Sequence, residues 1–448
     1  MCKVSKEAVV QPTGQSGFLE EFFHLQENGT NVRTEVLAGL TTFVTMAYII
    51  LVNPVILKAG GLDPGAVFMA TCLAAAASTL FMGLYANYPF ALAPGMGLNA
   101  FFAYVMVGAM KVDPYTALGA VFISGLIAVI VTLTGLRELL IRAIPLPLKH
   151  AVGAGIGLFI AFIGLKNAGI VVPDQATIVA LGDLTNPKTL VAVIGLVITG
   201  ALVARQVKGG MLLGILLTTL IGVPLGVTKL PASIISPPPS MAAGFLKLNV
   251  LGALKWSLFP TIFSLFFADL FDTIGTFVGV ASRTGMIDEH GNLKRGNRAL
   301  FADSLGTVLG ALLGTSNTTT YVESAAGVSV GGRTGLTAVV VAVLFILSII
   351  FSPIALAVPG EATAPALVIV GIFMAASLTE IKFDDFVEAF PAFLTVVLMP
   401  LTFSISLGLS LGFIAYTLVM LLTGKGAQVH WVMYLLSILF TLYFAFIH

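Results

Sequence analysis

Apolar runs of about 18–22 residues, the length a helix needs to cross a ~30 Å hydrocarbon core, recur along this whole 448-residue chain. Fourteen spans are read at 35–56, 66–86, 90–110, 114–136, 149–170, 187–204, 209–227, 257–280, 297–314, 318–332, 334–357, 363–380, 387–404 and 405–423. A last apolar segment, 430–447, follows Gly424–Gln428 and is left open between spanning, re-entrant and packed against the bundle. Only 10% of residues are charged, where soluble domains carry roughly 25%. The expectation is an all-α polytopic membrane protein. The first ~30 residues lack the apolar core of a signal peptide, so the first span is expected to start insertion.

Charge bias orients the chain. With the N-terminus inside, fifteen of the 22 Lys and Arg residues fall on the cytoplasmic side, all eight Arg among them. This predicts a multi-pass plasma-membrane protein with a cytoplasmic N-terminus. Cys2 and Cys72 sit in unlike contexts, the five His make no metal spacing, and no basic tract suits nucleic acid. No metal and no cofactor are expected.

Two stretches interrupt the helical pattern. NYPFALAPGMGLNAFF (87–102) carries Pro89, Pro94, Gly95 and Gly97 ahead of its apolar run. GTSNTTTYVESAAGVSVGG (314–332) is too polar for a helix facing lipid. Both read as extended backbone followed by a half-helix, which membrane depth tolerates only inside protein or beside a cavity. They correspond in position: TLFMGLYANYPFALAPGMG begins at Thr79, and TVLGALLGTSNTTTYVESA begins at Thr307. GGMLLGILLTTLIG (209–222) loosely echoes SLGLSLGFIAYTLV (406–419). With seven spans in each half, the expectation is a 7+7 inverted repeat with interrupted spans 3 and 10, a pattern that points to a transporter's substrate site.

The chemistry concentrates in few side chains. In SLFFADLFDTIGTFVG (264–279), Asp269 and Asp272 sit among apolar residues, and no Lys or Arg lies between Lys255 and Arg283. With Asp303 and Glu323 they are the acids in or near apolar spans, where a carboxylate costs roughly 2.5–3.5 kcal/mol or more. Glu323 stands near the start of the 318–332 half-helix, whose free N–H groups could hold it while one edge meets a ligand; a plain helix cap is the alternative. Asp269 and Asp272 share a helix face, so one can meet a cavity while the other bonds a neighbouring helix. Asn99 follows the first break and can donate and accept at once; otherwise it is a polar contact between helices. Thr320, in the polar run before Glu323, is a further substrate contact. Phe267 and Phe271 could stack on a flat ring, or simply pack the core. Asp272, Glu323 and Asp269 are the candidates to carry a proton, and Asp303 reads as structural. Gly327–Thr334 nearly spells a phosphate-binding loop, but Arg333 replaces its lysine and no α/β domain surrounds it.

FFADLFDTIGT, NTTTYVESAAGVSVGGRTGLTA, LAPGMGLNAFF and AGLTTFVTMAYIILVNP together resemble the adenine/guanine/hypoxanthine permeases, the azaguanine-resistance-type branch of the nucleobase–cation symporter-2 group. The resemblance runs from about residue 30 to the C-terminus. It implies the uracil-transporter-like fold: a cytoplasmic segment 1–34, a core domain from 35–137 and 257–358, a gate domain from 145–228 and 363–448, and an extracytoplasmic linker 229–256. It implies purine import by proton symport, driven by the proton gradient, with an elevator-like movement of core against gate in a homodimer. By motif, Asp272, Glu323 and Asn99 resemble the family's substrate-site residues. One of Asp384 or Asp385 lies near another important acid, although both read from sequence as loop acids. Xanthine, uric acid or pyrimidine transport and anion transport on the same fold are the competing readings. An intramembrane enzyme is disfavoured, since no HExxH, nucleophile elbow or protease motif is present.

Overall fold

A computed structural model describes residues 17–281, 286 and 295–447. The expected cytoplasmic segment up to residue 16, with Arg283 and Lys294 of the orientation argument, lies outside the described residues. The bundle is built in chain order from α1 (Val32–Met46), α2 (Ile49–Ala59), α3 (Pro64–Phe81), β1 (Leu92–Pro94), α4 (Met96–Ala100, continued by π-helical Phe101–Ala109), α5 (Pro114–Leu133) and α6 (Leu146–Asn167). A hairpin of β2 (Val171–Asp174) and β3 (Ile178–Leu181) precedes α7 (Pro187–Ala204) and α8 (Gly210–Ile221). The second half holds α9 (Phe259–Ala281), α10 (Gly296–Leu313), β4 (Thr318–Thr320), α11 (Ser324–Val330), α12 (Gly335–Leu347), α13 (Gly360–Ala375), α14 (Phe386–Leu401), α15 (Ile405–Leu422) and α16 (Trp431–Ile447). Among the described residues, nine helical runs are long and apolar enough to cross a membrane, with Val32–Ala59, Gly335–Ala357 and Gly360–Glu380 each counted across an internal break, and the chain is a multi-pass helical membrane protein.

Helix starts follow local chemistry. Asp63 precedes Pro64 and accepts from Ala66 N at 2.8 Å; Asp113 precedes Pro114 and accepts from Thr116 N at 2.9 Å. Each carboxylate satisfies an orphan N–H while the proline occupies a position that needs none. Three departures from the expected spans have equally local causes. The span at 35–56 is two helices, because at Ala47–Tyr48 the backbone tightens to three-residue bonds (Ile50 N to Ala47 O 3.1 Å, Leu51 N to Tyr48 O 3.0 Å). The span at 334–357 is interrupted by a 3₁₀ turn, Ser348–Phe351, and resumes as a short helix, Ser352–Ala357, with Pro353 in its first turn. The loop after α6 is a hairpin closed by Asp174, which accepts from the N–H groups of Ala176 and Thr177, each at 2.8 Å. The Thr177 and Ala176 bonds hold its carboxyl below the ordinary aspartate range.

Helices α1–α5 and α9–α12 pack mainly on one another, and α6–α8 on α13–α15. In the second set α6 and α13 approach at backbone distance: a Cβ on Gly157 would lie 2.7 Å from Gly371 O. The segment left open at 430–447 is a helix packed on α15, with Phe440 edge-on to Phe263 and Phe413. Among the described residues, one side-chain hydrogen bond joins the two sets: Asn167 Nδ2 donates to the Tyr104 hydroxyl at 2.6 Å.

Candidate functional site

The two interrupted segments are each other's partners. β1 and β4 pair antiparallel, Leu92 opposite Thr320 and Pro94 opposite Thr318. The ladder extends through Tyr321 N to Ala91 O (2.9 Å) and Gly95 N to Asn317 O (3.2 Å). Buried backbone that belongs to no helix is thereby paired, as membrane depth requires. The Tyr321 hydroxyl donates to Pro94 O at 2.5 Å, and Ser324 Oγ accepts from Ala91 N at 3.0 Å. Helices α4 and α11 start just beyond the two strands.

A cavity of about 90 Å³ opens at these helix starts, enough for several waters. Gly95–Leu98 line it from α4, Asn317 and Thr319–Glu323 from β4 and the start of α11, and Tyr48 from the α1–α2 junction. The second helix set closes it with Ile156, Val370, Phe373 and Met374. From α9 come Ala268, Asp272 and Thr276, a four-residue spacing that keeps them on one face. No Lys, Arg or His is among the lining residues.

The two acids of α9 part company. Asp272 faces the cavity, and among the described residues no side chain or backbone N–H donates to it. Asp269, 5% exposed, turns to α10 and the strand. It accepts from the Thr307 hydroxyl at 3.0 Å and from Asn317 Nδ2 at 3.1 Å, holding a lining residue in place. Glu323 stands at the N-cap of α11 but makes no capping bond; its Oε1 accepts from the Tyr48 hydroxyl at 2.6 Å.

The other expected residues fall elsewhere. Asp303 accepts from the Thr273 hydroxyl at 2.6 Å and from both N–H and hydroxyl of Thr320 at 2.8 Å, so it pins β4 to α9. Thr320 lines the cavity with its hydroxyl already given to Asp303. Phe271 does not line the cavity; it packs against Phe267, ring centroids 5.8 Å apart. Asn99 does not line it either. It is fully buried and donates to Asn53 Oδ1, while Asn53 Nδ2 donates to Thr71 (2.7 Å) and Thr315 (2.9 Å). Asp384 and Asp385 are exposed in the loop before α14, and Asp385 accepts from Val387 N as that helix's cap. The near phosphate loop is a helix end: Arg333 Nη1 donates to Val328 O (2.7 Å) and Gly332 O (2.8 Å). The sequence reading missed Tyr48, Thr276 and Phe373. A hydroxyl mid-span marks the first and the four-residue step from Asp272 marks the second. Nothing in the string marks Phe373.

A family model described as "Permease family" matches residues 33–411. The chain belongs to that family. This permease is 44% identical over 444 residues to the adenine permease AdeP of Escherichia coli, covering 99% of each chain. It is 46% identical over 447 residues to the guanine/hypoxanthine permease PbuG of Bacillus subtilis, covering 96% of this chain and 100% of that one. In fold it is similar to the transmembrane domain of a cyanobacterial bicarbonate transporter, BicA, at TM-score 0.63 and 17% identity over 85% of this chain and 97% of that one.

Proposed function

We propose that this permease imports purine nucleobases, adenine, guanine or hypoxanthine, with Asp272 and Glu323 accepting the N–H groups of the base. The observation that carries the reading is that both carboxylates line one cavity with no basic side chain among its lining residues. Two acceptors without a protein counter-charge suit a neutral ligand rich in N–H donors, and Phe373 among the lining residues offers an aromatic side chain for a planar ring. The purine assignment takes its support from the names of relatives at 44–46% identity over nearly the full chain. An anion as cargo has the same fold to draw on, but two lining carboxylates would repel it.

Transport is by proton symport, the proton riding on Asp272 or Glu323. Core (35–137 and 257–358) moves against gate (145–228 and 363–448) in an elevator-like stroke, within a fourteen-span, 7+7 inverted repeat that assembles as a homodimer. The boundary between helix sets supports this, since it runs through the cavity and one side-chain hydrogen bond spans it among the described residues. The deciding experiment is uptake of labelled hypoxanthine in cells lacking their own permeases, competed by a panel of bases. Adenine, guanine or hypoxanthine should compete best; stronger competition by xanthine, uric acid or uracil would replace the purine assignment.

A further inference from the structure

Glu323 reaches the cavity as a long, flexible side chain with no cap bond to fix it. A carboxylate that must present one edge to a ligand needs something to hold the other. The α1–α2 junction supplies it. There the helix tightens, and Tyr48, 1% exposed, reaches across to Glu323 Oε1 at 2.6 Å. A tyrosine hydroxyl has a single proton to give, so Oε1 is the oxygen it engages, and both residues line the cavity.

We propose that Tyr48 is a positioning residue for cargo: its hydroxyl fixes the Glu323 carboxylate in the orientation that meets the base. The proposal rests on the reading that Glu323 binds cargo. Tyr48 acts through Glu323, so its loss weakens affinity without stopping the transport stroke. A tyrosine serving only as packing would tolerate Phe, which keeps the ring and removes one oxygen.

The test is KM and Vmax for labelled hypoxanthine in Y48F, E323Q and the double variant at measured membrane abundance. Half-maximal thermal stabilisation of the purified proteins by hypoxanthine gives a second readout. Y48F should raise KM about tenfold, the weight of one charge-assisted hydrogen bond, with Vmax within about twofold. E323Q is expected to lose uptake, so the double-variant arm is read by thermal stabilisation, where Y48F added to E323Q should cost nothing further, because the two act as one unit. Wild-type KM in Y48F beside failed uptake in E323Q overturns the proposal and leaves the site reading standing. Normal uptake in E323Q sinks the site reading itself. Failure of Y48F to accumulate would assign the hydroxyl to folding and also overturns the proposal.

Discussion

Thr79 and Thr307 make the same contact in the two halves of the chain. The Thr79 hydroxyl donates to Leu92 O at 3.0 Å, and the Thr307 hydroxyl, its one proton shared between Asp269 and the strand, reaches Thr318 O at 3.1 Å, in each case the first residue of the strand that follows. These are the residues at which the two corresponding sequence stretches begin. The strands then pair with each other about Ala93 and Thr319. Each threonine thus fastens its interrupted segment to the helix before it.

Replacing either threonine by alanine should loosen that ribbon. Each change frees a buried carbonyl and costs about 1–3 kcal/mol. T79A and T307A should each lower the unfolding temperature of the detergent-solubilised protein, T307A also releasing Asp269. An unchanged unfolding temperature in both would deny the threonines this role.

The acids of α9 and α11 should separate by phenotype. E323Q and D272N should reach the membrane at normal abundance and lose purine uptake. D269N should instead lose thermal stability, because Asp269 accepts from Thr307 and Asn317 rather than facing the cavity. Loss of uptake in D269N at full stability would return Asp269 to the proton path.

Proton coupling has its own readout. A protonophore should collapse adenine or hypoxanthine accumulation, and imposing an inward proton gradient should restore it. Accumulation that follows a Na⁺ gradient instead would overturn the proton half of the mechanism.

The sequence shows the two breaks plainly because Pro94, Gly95 and the Thr318–Thr320 run cannot continue a lipid-facing helix. Asp272 is legible for a related reason: a carboxylate among apolar residues has few places to go. Phe271 is not, since α9 is apolar on nearly every side, and a helix of that kind hides which stripe faces the cavity. Ala268, Asp272 and Thr276 form that stripe, and Phe271 lies off it. Phe373 and Ile156 enter from helices distant in the chain, so only tertiary packing brings them to the site. Glu35 shows the converse. It reads as an acid at a span end, yet it is fully buried and accepts from Thr334 N, Thr337 N and the Thr337 hydroxyl at the start of α12.

Asn99 should behave as scaffold. Its amide donates to Asn53, and Asn53 ties α2 to Thr71 of α3 and to Thr315 before β4. N53A would strand several buried polar groups at about 1–3 kcal/mol each. N53A and N99A should therefore lower abundance and unfolding temperature together, with KM of the surviving protein near wild type. A large KM rise in N99A at wild-type stability would bring the amide back into contact with the base.

If core moves against gate as proposed, the movement must break whatever bonds span the two sets. Asn167 and Tyr104 form the described side-chain hydrogen bond that does so, and neither residue lines the cavity. Y104F removes it while keeping the ring. Losing about 1 kcal/mol from one end state of the stroke shifts the balance between end states about fivefold. Vmax for purine uptake should therefore change several-fold while binding to the purified protein, read by ligand-induced thermal stabilisation, shifts much less. If Y104F leaves Vmax untouched, the Asn167–Tyr104 bond persists through the cycle, and the moving boundary must lie elsewhere than between α4 and α6.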